Sequence, residues 1–239
     1  MRTYRDYLEI YTNQNFGPNS EAELDDYDFF EQLAPEVETH WGATQVCIID
    51  PDLKDVIKIF FNGEFENIYN NDDEDDYSYD VEFTEFRHDY ANIAETIYED
   101  AKKLGFGDFF AAFEKIGETD GSKRPVFRQE YVTPLDDGGD SHPSKKAIDI
   151  VVKKQNTYND DEDYIDFDDA AYMERTKWRT FDTNWTAAAI DAYGYELVER
   201  FLSFVRETSI HLDMHSGNYG YRKDGTPCIL DWAGFDEPW

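Results

Sequence analysis

The sequence predicts an α+β fold with two lobes. Three observations carry that expectation. Strand-like runs come as neighbouring pairs joined by turn residues, amphipathic helical stretches stand between the pairs, and a polar connector separates a strand-rich front from a helix-rich back.

Residues 1–35 read as helical or irregular, and "SEAELDDYDFFEQL" offers a Ser cap ahead of acidic first-turn residues. "TQVCII" and "DVIKIFF" are β-branched and aromatic, with Pro and Asp turn chemistry in "DPDLKD" between them, so they read as a hairpin. Val81 to Leu104 carries Phe83, Phe86, Tyr90, Ile93, Ala94, Ile97, Tyr98 and Ala101 at helical spacing, with Gly105 and Gly107 as the stop. "FFAAFEKIG" and "PVFRQEYV" read as two further strands around "ETDGSKR". Residues 134–182 read as a polar connector or insertion with little core of its own. "NWTAAAIDAYGYELVERFLSFVRETS" reads as one long helix, with Ala188, Ile190, Tyr193, Leu197, Phe201 and Val205 on or near one face. A polar loop and a short hairpin follow. The expected division is 1–133 for the first lobe with its N-terminal extension and 134–239 for the second.

Composition narrows the function. With 40% hydrophobic and 17% aromatic residues the chain is globular. No apolar run reaches membrane-spanning length, the N-terminus lacks the apolar stretch of a secretory signal, and Cys47 and Cys228 are too few for a disulfide framework. A cytoplasmic protein is expected, without a membrane partner. Fifty-four acidic against 22 basic residues give a net charge of −32, which disfavours direct binding of nucleic acid and favours basic protein surfaces. Two stretches carry no Lys or Arg: Ile59 to Phe86, centred on "YNNDDEDDYSYD", and Gln155 to Glu174, centred on "YNDDEDYIDFDD". They read as solvated loops or as an acidic surface for a basic partner. "DDEDD" lacks the glycine and ligand spacing of a calcium loop.

The chemistry concentrates in "HLDMHSGNYGYRKDGTPCILDW", His211 to Trp232. Asp213 and Asn218 are five apart in a glycine-containing loop, and Asp231 follows behind a short strand pair turned by "KDG". "CIL" would be a buried strand that delivers the Asp231 carboxylate to a fixed place. Oxygen donors from Asn218 and Asp231 suit a hard divalent cation such as Mg²⁺, and a separate Asp213 can orient or deprotonate a hydroxyl. His211 reads as a structural hydrogen-bonder. His215 is left open, because no cysteine stands at ligand spacing to make a zinc site.

"HLDMHSGN…ILDW" resembles the catalytic and metal-binding loops of the protein-kinase-like superfamily. "HxDxHxGN" with "DW" is similar to aminoglycoside and choline kinase relatives, and "DMHSGN" resembles the early serine/threonine kinases of T7-like bacteriophages. The resemblance spans residues from about 40 to 235 and implies a two-lobed kinase-like fold with a truncated large lobe. It implies an ATP-dependent enzyme in which Lys58 meets the α/β-phosphates and Glu95 is its ion-pair partner. Gly42 would lie over the nucleotide, and the backbone at Glu130, Tyr131 and Val132 would meet adenine. Asp213 would be the catalytic base, and Asn218 and Asp231 would hold Mg²⁺. The acceptor expected is a hydroxyl of a basic protein, with a cationic small molecule such as an aminoglycoside-like polyamine also compatible, and with Ser78 and the tyrosines of "DYSYD" as self-acceptors, in a phage protein acting on host proteins. The alternative is a kinase-like shell of weak or no activity that acts as an acidic, DNA-mimic-type inhibitor of a basic host protein. The chain departs from the family pattern in three places. A single glycine stands in "THWGATQVC", Leu212 replaces the usual Arg, and Trp232-Ala233 replaces Phe-Gly.

Overall fold

"DVIKIF" is apolar on both faces but for Asp55 at its start and one lysine, the composition of a strand covered on two sides. In the computed structural model it is β3 (Asp55–Phe60), flanked by β2 (Gln45–Asp50) and β7 (Pro125–Glu130). The structure describes residues 38–41, 44–50, 55–60, 63–69, 79–85, 89–118, 124–156, 176–208 and 210–232. Residues 1–35, Gly42 and the centres of both acidic runs lie outside the described residues. β1 (Glu38–Trp41) and β6 (Phe113–Glu118) complete a five-stranded antiparallel sheet in the order β1-β2-β3-β7-β6. The fold is α+β, and its sheets are antiparallel.

The chain divides into two units, Met1–Ile93 with Phe113–Tyr131 and Ala94–Ala112 with Val132–Trp239. The first unit holds the five-stranded sheet. Its core contains Val46, Ile48, Ile59, Phe60, Val126 and Phe127, with Phe113 stacked on Phe127 at 4.3 Å and Phe60 set edge-on to both. Burying each such side chain contributes about 1.5–3 kcal/mol. A separate antiparallel pair, β4 (Gly63–Tyr69) and β5 (Tyr79–Glu85), flanks the centre of the first acidic run. The two ends of that run, Gly63–Tyr69 and Tyr79–Glu85, are thus paired strands.

The same hairpin corrects the expected helix over 81–104. "VEFTE" alternates apolar and polar residues with period two and is rich in strand formers, so it pairs as β5. Helix α1 (Tyr90–Lys103) begins after Asp89, whose carboxylate accepts the Asn92 amide at 3.0 Å. The strand expected at "FFAAFEKIG" also starts late, at Phe113. Gly107–Phe109 forms a 3-10 turn instead, because Phe109 and Phe110 are buried in the second unit's core.

The second unit corrects two further expectations. Residues 134–182 have a core: α2 (Lys145–Gln155) buries Ala147 and Val151, and the turn Lys177–Arg179 buries Trp178. The long helix is two. Gly194 takes φ +88°, a left-handed conformation that only glycine adopts without strain, and it separates α3 (Thr183–Tyr193) from α4 (Tyr195–Glu207). Asp182 caps α3 by accepting the amides of Asn184 and Trp185, and α3 then buries Trp185 to Ile190 without a break. Helix α4 buries Val198, Phe201, Leu202 and Val205 along one stripe, and Phe201 stacks on Phe109 at 3.9 Å. No helix among the described residues is long and apolar enough to cross a membrane.

These helices support a three-stranded antiparallel sheet, β10-β9-β8, made by β8 (Thr133–Pro134), β9 (Tyr219–Tyr221) and β10 (Pro227–Ile229). The expected short strand before Asp231 is present, fully buried, and the "KDG" turn closes on Gly225 at φ +83°. Trp185 Nε1 donates to the Gly220 carbonyl at 3.1 Å, which fixes β9 to α3. Gly220 itself is a close-approach position: a Cβ there would lie 2.0 Å from the Thr133 carbonyl oxygen.

Candidate functional site

The loop before β9 is built by backbone demands that its own side chains meet. After α4 the chain enters a 3-10 turn, Ile210–Asp213, with Ile210 buried and Leu212 exposed. The turn ends where the His215 amide donates to the Asp213 carbonyl at 3.0 Å, and the Asn218 amide then donates to the His215 carbonyl at 2.9 Å. "SGN" supplies the tight return: a Cβ on Gly217 would sit 2.9 Å from the His215 ring.

Asn218 joins the two halves of the site. Its side chain is buried, and Nδ2 donates to the Asp213 carbonyl at 2.7 Å and to Asp213 Oδ2 at 3.1 Å. Its carbonyl accepts the amides of Leu230 at 2.9 Å and Asp231 at 3.1 Å. One residue therefore holds the start of the loop and the end of β10 together. Asp213, Asn218 and Asp231, brought together by sequence pattern, are also brought together in space.

The Asp213 carboxyl is shifted by its surroundings. Burial raises the Asp213 carboxyl above its ordinary value, and the Asp231 charge pushes it the same way; His215 and the Asn218 hydrogen bond pull it back. The His211 ring is lowered by burial and by the Arg206 charge, against a hydrogen bond to the Val205 backbone. Its Nδ1 is buried with no hydrogen-bond partner among the described residues. His211 thus serves packing and backbone bonding, as expected.

The donor set suits Mg²⁺. With Nδ2 turned to Asp213, the Asn218 Oδ1 is the amide atom that faces away from it. An amide oxygen and a carboxylate match an ion that keeps several waters and takes one or two carboxylates with substrate phosphates. Among the described residues no group of three or more His, Cys, Asp or Glu is placed to hold a metal ion.

The other expected residues divide between the units. Lys58 is 4% exposed in the middle of β3, opposite Cys47 on β2 and Phe127 on β7. Glu130 ends β7, directly opposite Asp55, and Tyr131 is exposed. In the second unit Glu95 is exposed on α1, and Val132 is buried with Ala111 and Cys228. The division between the units falls between Tyr131 and Val132, within the segment expected to meet adenine.

Two supports were not legible in sequence. Trp232, next to Asp231, is buried; its Nε1 donates to the Ala94 carbonyl at 2.9 Å, and its ring stacks on Tyr98 at 5.8 Å. Arg222 donates to the carbonyls of Asp108 at 3.0 Å and Phe110 at 2.8 Å, tying the β9–β10 hairpin to the Gly107 turn. Contacts made across more than a hundred residues leave no local pattern. No family model, curated protein or solved structure matches this chain.

Proposed function

We propose that this chain is a compact kinase-like phosphotransferase that moves the γ-phosphoryl group of ATP to a protein hydroxyl. The observation that carries the reading is Asn218. It binds Asp213 through its side chain and the Asp231 amide through its carbonyl, which assembles a base and two oxygen ligands from a single loop and strand. Further support comes from the first unit. The strands β3, β7 and β6 share one antiparallel sheet, and Lys58 is buried at its centre.

In this reading Asp213 orients the acceptor hydroxyl and takes its proton as the oxygen attacks the γ-phosphorus. The bond from that phosphorus to the ADP oxygen breaks, and its electron pair leaves with ADP. Lys58, in the first unit, would meet the α/β-phosphates. Asn218 and Asp231 would hold Mg²⁺, which would supply charge neutralisation at the phosphates. The acceptor class is a basic protein, because the net charge of −32 draws cationic surfaces.

Titration calorimetry with Mg-ATP tests the reading. Binding is expected for the wild type and its loss for Asp231→Asn; equal binding by both proteins overturns the assignment. A second reading is favoured by the acidic hairpin: a carboxylate-rich face that occupies a basic protein without chemistry. Neutralising Asp72 to Asp76 and Asp160 to Asp163 would abolish capture of basic proteins in that case, while Asp231→Asn would leave capture intact.

A further inference from the structure

The imidazole of His215 has a role that the phosphotransfer reading leaves unassigned. The Gly217 amide donates to His215 Nδ1 at 3.1 Å. A backbone N–H can only donate, so Nδ1 is the acceptor nitrogen and the ring proton sits on Nε2. In a five-membered ring the Nε2–H then points away from the loop backbone, and His215 is an exposed residue. Gly217 makes this arrangement possible, since a Cβ would press on the ring at 2.9 Å from Cε1.

The neighbourhood gives that N–H something to do. The His215 amide donates to the Asp213 carbonyl at 3.0 Å and the Asn218 amide to the His215 carbonyl at 2.9 Å, so His215 stands in the loop between the base and Asn218. Two carboxylates repel an incoming phosphoryl group, and the Asn218 Nδ2 is already engaged by Asp213. An outward donor two residues from the base offsets that repulsion without adding a group that competes for the acceptor proton.

We propose that His215 is a catalytic residue, its Nε2–H hydrogen-bonding a non-bridging oxygen of the γ-phosphoryl group as it is transferred. The inference rests on the phosphotransfer reading and adds a named contact to it. No proton moves to or from His215; the acceptor proton goes to Asp213 and the leaving electron pair to ADP.

Nitrogen-15 NMR of the imidazoles tests this without turnover. The free protein should show a pyridine-like shift at His215 Nδ1 and a pyrrole-like shift at Nε2. Saturation with β,γ-imido-ATP and Mg²⁺ should move Nε2 and leave Nδ1 pyridine-like. A pyrrole-like Nδ1, or an Nε2 resonance unmoved while calorimetry shows the nucleotide bound, overturns the proposal and leaves the phosphotransfer reading standing. No binding of the nucleotide overturns both. In turnover, His215→Ala should lower kcat by about a hundredfold with little change in KM for ATP. His215→Gln, which keeps a donor, should recover most of that loss. Equal losses in the two variants, with wild-type melting temperatures, also overturn the proposal.

Discussion

Lys58 and Asn218 are both buried polar residues, yet their surroundings hold them in different ways. Lys58 stands on a six-residue strand paired on both sides, flanked by Ile57 and Ile59. Its position is set by a register that six residues share. Asn218 stands in a loop, and its place is set by its own side chain, which bonds a neighbour's carbonyl and carboxylate. A functional residue on a strand can be removed with the frame intact, whereas one that builds its loop cannot.

The largest effect is expected at the glycine behind the loop. Gly220→Ala puts a methyl into the Thr133 carbonyl and should cost at least about 3 kcal/mol, read as a fall in the urea midpoint. A variant that melts like the wild type would show that β8 can move away freely, and the loop would then be less rigidly founded than the comparison holds. Asn218→Ala comes next. Losing its side-chain bonds and baring the Asp213 carbonyl should cost about 2–3 kcal/mol and abolish phosphate transfer as well. Lys58→Met should separate the two properties. We expect phosphate transfer to fall by about a hundredfold or more while stability stays within about 2 kcal/mol. If the Lys58 variant unfolds as readily as the Asn218 variant, the distinction between strand and loop fails.

The smallest effect concerns pH. The folded Asp213 carboxyl is raised above its unfolded value, so its contribution is most favourable below the unfolded value and is lost as pH rises through the folded one. At neutral pH and without divalent cations Asp213 is therefore a cost to the fold. Asp213→Asn should melt slightly higher than the wild type at pH 7, and the gain should vanish toward pH 4. A lower melting temperature at pH 7 would mean that the carboxylate's bond from Asn218 outweighs its burial and the Asp231 charge.

How far the sequence could be read follows the same division. Periodic elements were legible: β2, β3, β7 and the buried strand before Asp231 stand where alternation and apolar runs put them. Non-local demands were not. "VEFTE" has the strand period, but Phe83 and Phe86 also continue the helical spacing of Tyr90 to Ala101, and its pairing with Gly63–Tyr69 makes it a strand. The break at Gly194 hides in a continuous apolar stripe, because one left-handed glycine leaves the spacing on either side almost unchanged. Residues 134–182 looked coreless because Trp178 and Phe181 are isolated in polar sequence, yet both are buried in the second unit. At the site, Asp213, Asn218 and Asp231 were legible as a spacing. The indole of Trp232 on the Ala94 carbonyl was not, since its partner lies 138 residues away.

The central claim, that the Asp213–Asn218–Asp231 loop transfers phosphate, is tested most directly by following the labelled γ-phosphate of ATP. With Mg²⁺ present, the label is followed onto the protein itself and onto the proteins of a cell lysate, with Asp213→Asn and Asp231→Asn run alongside. Label carried by the wild type and by neither variant is the predicted result, and the masses of the labelled proteins identify the acceptors. Absence of label from folded wild type, or equal label from all three proteins, would contradict the account.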